Sequence, residues 1–311
     1  MRLAHAIFAL VLSMGSAAAQ GAREVIWAHP AGAYYWGLFS AMDQGFIKEE
    51  GIKLEESTTD NPAQAMQMLV TGAVNVISMS PEVAITAIEK GAEIIIVATE
   101  NRKVGWSLIV RPEIKAYGDL KGKLLGVTQL QEASGTMLKL LLEKNGVKEG
   151  DYDVVPLGGT PNRFAALNGG AVSATLLSPP MDIRALGGGM RKLGDTFEAF
   201  SGAGVFLVAN KRWASANVDT LERFLRAAAR GGAWLFEPSN KDKAAEVLVK
   251  TMKITREDAD KNYELLVGSG IVARTLDIGA GEIEPWLKLR GSNDNSARYF
   301  DAAPLERALA R

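Results

Sequence analysis

Three observations predict a parallel α/β protein of two similar lobes. Short apolar runs alternate with stretches of helical spacing, a block of residues recurs 98 positions further along, and the chain ends in a long helical tail. Strands covered on both faces read as continuous apolar runs, and their alternation with helices implies a parallel sheet. The composition agrees with an ordinary globular protein: 311 residues, 47% hydrophobic and 23% charged. That length is enough for two cores.

The first residues read as an address. Arg2, the apolar run Ala6 to Leu12 and the small residues Ala17-Ala18-Ala19 form a secretory signal peptide, and the apolar run is far shorter than a spanning helix needs. Cleavage after Ala19 removes Arg2 and no acid, leaving 34 Lys+Arg against 36 Asp+Glu, a charge of −2. No Cys follows to carry a lipid, so a soluble exported protein is expected.

Val25 to Ala28, Val74 to Met79, Ile94 to Ala98, Leu124 to Val127, Val154 to Leu157 and Ala174 to Leu177 read as strands. Between them Tyr35, Leu38, Phe39, Met42 and Phe46 fall at helical spacing, as do Leu138, Leu141 and Leu142 ahead of the stop signal Asn145-Gly146. Leu69, Gly72, Ala73, Val74, Ser80 and Pro81 recur as Leu167, Gly170, Ala171, Val172, Ser178 and Pro179. Each half therefore reads as strand, helix, strand, helix, strand, with a Ser-Pro after its third strand. One more strand, Val205 to Ala209, precedes the tail, in which Thr255 caps a helix and Pro304 opens the last one. The tail has no sheet of its own and is expected to pack on the first lobe. The expected division is 20–110 plus 207–311 for lobe 1 and 111–206 for lobe 2, with Ser107 to Val110 and Val205 to Ala209 as the crossovers.

Composition removes several chemistries. With no Cys and two His, a Cys/His zinc site, a Cys nucleophile and an iron–sulfur cluster are excluded, so no cofactor or metal is expected. A formal charge of −1 leaves no electrostatic footprint for nucleic acid. No G-x-x-x-x-G-K-[ST] or G-x-S-x-G occurs, and the glycines of 187–194 lack the strand–turn–helix context of a dinucleotide site. Glu49-Glu50 and Glu55-Glu56 read as solvated faces.

In an open parallel sheet, ligands sit beyond the carboxyl ends of the strands. Those places are 29–36, 78–80 and 99–101 in the first half, with 128–136, 158–160 and 177–178 in the second. The candidate contacts there are His29, Tyr34, Trp36, Ser80, Asn101, Gln129, Ser134, Gly135, Thr136, Gly159 and Ser178, with Trp106 beside the first crossover as pocket wall or hinge. Ser80-Pro81, Ser134, Thr160-Pro161 and Ser178-Pro179 each set a hydroxyl at a helix start, which reads either as plain capping or as an anion-binding N-terminus. Helical spacing assigns Tyr35 to the core, leaving Tyr34 and Trp36 for the cleft wall.

Two further segments carry a resemblance. Asp43-Gln44-Gly45-Phe46-Ile47-Lys48-Glu49-Glu50-Gly51-Ile52 and Asp119-Leu120-Lys121-Gly122-Lys123-Leu124-Leu125-Gly126-Val127 resemble the opening and the second-lobe start of solute-binding proteins of the sulfonate, nitrate, taurine and thiamine-precursor type. Val155 to Gly159 and Leu176 to Pro180 are similar to that family's later strand ends. The resemblance implies a type II periplasmic binding protein, a monomer whose two lobes close on a small-molecule solute and pass it to an ABC permease and its ATPase. Only Arg102, Lys103 and Arg163 stand as cations near strand ends, and the aromatic run Tyr34 to Trp36 suits an organic, ring-bearing solute. A sensor presenting its loaded form to a membrane receptor is the alternative. A yeast-type pyrimidine synthase shares the lobes but depends on Cys, which this chain lacks, so no enzyme activity is expected.

Overall fold

A computed structural model describes residues 23–59, 61–130 and 132–311. The signal-peptide reading of 1–19 lies outside the described residues. Among the described residues ten strands form two five-stranded sheets. The first holds β1 (Arg23–His29), β2 (Ile52–Thr58), β3 (Val76–Met79), β4 (Ile94–Asn101) and β10 (Val205–Asn210) in the order β2-β1-β3-β10-β4. The second holds β5 (Ser107–Val110), β6 (Leu124–Val127), β7 (Asp153–Pro156), β8 (Ala174–Leu177) and β9 (Arg191–Asp195) in the order β7-β6-β8-β5-β9. Under the equivalences β1 with β6, β2 with β7, β3 with β8 and β4 with β9, the two orders are the same.

The fourth place in each sheet is filled by a strand from across the molecule. β5 leaves the first half and lies antiparallel between β8 and β9, while β10 leaves the second half and lies antiparallel between β3 and β4. This corrects the expected boundaries. Ser107 to Val110 is wholly within the second sheet and Val205 onward wholly within the first, so the crossings are 102–106 and 196–204. The two segments touch: Gly204 N–H donates to the Asn101 carbonyl at 2.8 Å, and a Cβ on Gly204 would meet the Lys103 carbonyl oxygen at 2.1 Å.

β2 and β9 were not anticipated. Both are edge strands, Ile-Lys-Leu-Glu-Glu-Ser-Thr and Arg-Lys-Leu-Gly-Asp, and an edge carries charge where a central strand carries a solid apolar run.

The helices are α1 (Trp36–Asp43), α2 (Phe46–Glu49), α3 (Pro62–Thr71), α4 (Pro81–Glu89), α5 (Ala133–Lys144), α6 (Thr160–Asn168), α7 (Met181–Gly187), α8 (Lys211–Ala216), α9 (Val218–Leu235), α10 (Lys241–Met252), α11 (Arg256–Tyr263), α12 (Ala280–Leu289) and α13 (Ala303–Leu309). Thr255 caps α11 by accepting the Asp258 N–H at 3.1 Å. The tail helices cover the first lobe. α9 packs on α1 so closely that a Cβ on Gly231 would lie 2.1 Å from the Gly37 carbonyl oxygen, and Tyr299 and Trp286 are buried in the same lobe. Glu50, read as solvated, is a half-buried anchor for this packing, because the Arg226 guanidinium of α9 grips both its oxygens at 2.9 Å and holds its carboxyl below the usual range. Among the described residues no helix is long and apolar enough to cross a membrane.

Candidate functional site

A cleft of about 1010 Å³, counting its open mouth, lies between the sheets. All four anticipated helix starts border it: Ser80 and Val83 at α4, Glu132 to Ser134 at α5, Gly159 and Thr160 at α6, and Ser178 before α7. Parallel strands ending on one side bring these starts together. The apolar wall is Met79, Val83, Val104, Val205, Pro30, Pro62 and the half-buried Trp106.

Of the anticipated residues, Tyr34, Ser80, Asn101, Trp106, Ser134, Gly159 and Ser178 line the cleft. Trp36 does not. A three-residue 3-10 turn, Ala33–Tyr35, precedes α1, and its tighter winding turns both Tyr34 and Tyr35 to the cleft and Trp36 to the core. There the Trp36 indole donates to the Ala244 carbonyl at 3.0 Å and meets Tyr263 edge-on at 5.9 Å. His29 also lies beneath the surface, stacked on Trp27 at 4.2 Å, with Nδ1 at 2.8 Å from the Pro30 carbonyl and Nε2 at 2.9 Å from Glu56. It ties β1 to β2. Gln129 is exposed outside the cleft. Gly135 serves loop packing, since a Cβ there would meet the Leu130 carbonyl oxygen at 2.6 Å. Thr136 is half-buried and lies outside the lining of the cleft.

The hydroxyls are not helix caps. Ser80 makes no capping bond, and its buried Oγ has no partner. The Ser134 hydroxyl lies within α5 and accepts the Thr128 N–H at 2.8 Å. Ser178 Oγ is 2.9 Å from Thr160 Oγ1, and α7 starts only at Met181 because Pro179 and Pro180 hold the chain out of the helix. Pro179 instead accepts the Ala33 N–H at 3.2 Å, a bond from one lobe to the other.

Two side chains define the polarity of the cleft. Tyr34 is more than nine-tenths buried with no partner for its hydroxyl, and burial, reinforced by Asp182, pushes its pKa far up, so it remains a neutral donor. Arg163, one of three cations noted near strand ends, is buried in the second-lobe wall. It donates to the carbonyls of Leu176 at 2.9 Å and Gly158 at 2.7 Å, to Thr160 Oγ1 at 3.1 Å and to Thr128 Oγ1. Arg102 turns away to Asp277 and Glu282, and the Lys103 ammonium donates to the Ser269 carbonyl. Asn101 donates to the carbonyls of Tyr34 and Glu100 at 3.1 and 2.8 Å when its amide nitrogen faces them. Burial also raises the carboxyls of Glu82 and Glu132 at the rim.

Glu100 falls within the anticipated strand end 99–101 but is not among the candidate contacts; it is buried beside Ser78. One of its oxygens has no partner, and burial pushes its pKa up to about 8. A lone acid in an apolar strand, Ile94 to Asn101, was the available signal.

Two like lobes with a cleft at their strand ends define the periplasmic-binding-protein fold. The NMT1/THI5-like family model matches residues 33–241, and the chain belongs to that family. The structure resembles the ligand-binding component of an ABC-type import system from Staphylococcus aureus, solved with zinc bound, with a TM-score of 0.79, 13% identity and coverage of 92% of this chain and 99% of that one. It also resembles a Bordetella bronchiseptica RB50 protein (TM-score 0.75, 21% identity, 92% and 97% covered). The periplasmic aliphatic sulphonate binding protein SsuA from Escherichia coli gives 0.71, 19%, 90% and 92%. No curated protein matches the chain in sequence. Among the described residues no group of three or more His, Asp or Glu could hold a metal ion.

Proposed function

We propose that the chain is the exported solute-binding component of an ABC importer. It captures a small organic solute between two lobes and, as a monomer, hands it to a membrane permease and its ATPase. One observation carries the reading: the cleft is walled by equivalent strand ends of both lobes, and its lining includes Tyr34 and Ser80, whose buried hydroxyls have no partner. A buried hydroxyl without a partner is costly, so a bound solute that supplies an acceptor is favoured. Tyr35, Trp106 and the apolar wall suit a ring or chain, and Arg163 sets a positive charge in the opposite wall, which favours an anionic or heteroaromatic compound.

A thermal-shift panel of sulfonates, aromatic carboxylates, purines and pyrimidines tests this, since a compound that binds only the native state raises the melting temperature. At least one class should do so, and mass spectrometry should recover the compound unchanged. With that compound, small-angle scattering should show a smaller radius of gyration as the lobes close about 102–106 and 196–204. A panel without a hit, or chemical turnover by the protein alone, would overturn the reading. Export is tested by the mature N-terminus, expected at or near Gln20.

A further inference from the structure

Asp182 sits where both crossings enter the second lobe. It begins α7 and is 2% exposed. Its Oδ1 accepts the Ile183 N–H at 2.7 Å, and its Oδ2 is 3.2 Å from Ser107 Oγ, the first residue of β5. The same Ser107 Oγ is 2.8 Å from Asp195 Oδ1 on β9. A serine hydroxyl has one proton to donate. Asp195 also accepts from the Lys192 ammonium at 2.8 Å, through its other carboxyl oxygen. One hydroxyl proton cannot satisfy both carboxylates, and Asp195 has Lys192 besides, so Asp182 is the less supported of the two acids.

The surroundings of this carboxyl come from both lobes. Tyr34 of the first lobe lies close enough for Asp182 and Asp195 to act on its hydroxyl, Ala33 bonds across to Pro179, and α11 of the first lobe packs on α7. We propose that closing the lobes takes up a proton on Asp182, so that the closed form gains on the open form as pH falls. The inference rests on the two-lobed binding reading and adds its regulation. With the lobes in contact through Ala33 and Pro179, as here, Asp182 is out of water, which disfavours its charge. Opening withdraws Tyr34 and α11 and lets water stabilise the carboxylate.

The other charged groups around it do not remove the effect. Lys192 on β9 favours the charged form, but it is engaged by Asp195, whose own charge opposes ionisation. On α6 the nearest cation is Arg163, held by carbonyls and hydroxyls. On α11 Arg256 pairs with Asp260 and with Asp242 of α10, Lys261 pairs with Glu257, and the further acid Asp258 leaves the helix with a net negative charge. Burial dominates, and the Asp182 pKa is pushed up to about 6. Against an ordinary 3.8, that displacement makes the closed-to-open ratio on the order of tenfold larger at pH 5 than at pH 7.5.

The chain has no Cys, so Lys90→Cys and Lys148→Cys place one spin label on the back of each lobe without competition. Pulsed electron–electron distances, measured on the solute-free chain from pH 5 to 7.5, should shift toward the closed separation as pH falls. Asp182→Asn, which keeps the neutral state at every pH, should hold the closed-shifted distribution throughout. Glu82→Gln with Glu132→Gln neutralises the rim carboxyls and should leave most of the dependence. A wild-type distribution that does not move with pH would overturn the inference, even if Asp182→Asn fails to fold. It would equally fall if the rim pair abolished the dependence while Asp182→Asn kept it. No solute is used here, so a compound panel without a hit would defeat the binding reading and leave this result standing.

Discussion

The two lobes share a strand order and differ in what their equivalent residues do. Ser80-Pro81 follows β3 and Ser178-Pro179 follows β8, and these strands are equivalent in the two sheets. In the first lobe the proline opens α4 at once, and the serine hydroxyl is left unpartnered at the cleft. In the second, an extra proline delays the helix, the hydroxyl turns to Thr160, and the Pro179 carbonyl becomes a bond to the other lobe. Charge is divided as well. The acid Glu100 lies uncompensated under the first lobe's floor, whereas the acid Asp195 that ends the equivalent edge strand has Lys192 beside it. The repeat therefore accounts for the topology, and the residues that differ between its copies account for the chemistry.

Five substitutions break or sharpen that contrast. The largest effect is expected at Glu100. Its folded pKa is raised, so native stability is full below about 4.5 and falls as pH rises through about 8. Ionising it costs on the order of 5 kcal/mol. Glu100→Gln should flatten the stability–pH curve over that window in urea titrations, and an unchanged curve would refute an uncompensated acid there. Next comes Arg163→Met, which strands the acceptors of the second-lobe wall and should cost about 3 kcal/mol, read as a lower urea midpoint. Gly231→Val follows, forcing α9 off α1 in the first lobe only, for about 2 kcal/mol of overpacking. A local protection map by hydrogen exchange should place this loss in the tail helices.

The smallest effect is the most telling for the comparison. Ser178→Ala loses its bond to Thr160 and should destabilise the empty protein by about 1 kcal/mol, whereas Ser80→Ala, with no bond to lose, should leave its melting temperature in place. Equal losses from the two would mean that both serines act as plain caps.

Much of the architecture was legible in the residues. Leu124 to Val127 and Ala174 to Leu177 coincide with β6 and β8, because strands covered on both faces read as largely apolar runs. The recurrence at 98 residues announced two like sheets, and Asn145-Gly146 ends α5 as read. The convergence of helix starts on one cleft followed from strand polarity alone, which is why Ser80, Ser134, Gly159 and Ser178 fell on its lining.

What the sequence could not decide depended on neighbours distant in the chain. One tight turn before α1 exchanged the roles of Tyr35 and Trp36, and α10 supplied the carbonyl that holds the Trp36 ring in the core. His29 was drawn inward by Glu56 on an edge strand that carries no apolar run. The exchange of β5 and β10 between sheets, the burial of Arg163 among four oxygens and the isolation of Glu100 and Asp182 from water arise only once both lobes and the tail are assembled. Local pattern fixes which residues form strands and helices, since backbone hydrogen bonding and side-chain periodicity act over a few residues. Desolvation and hydrogen-bond partnership, which give a side chain its charge and its role, are set by whatever the rest of the chain brings against it.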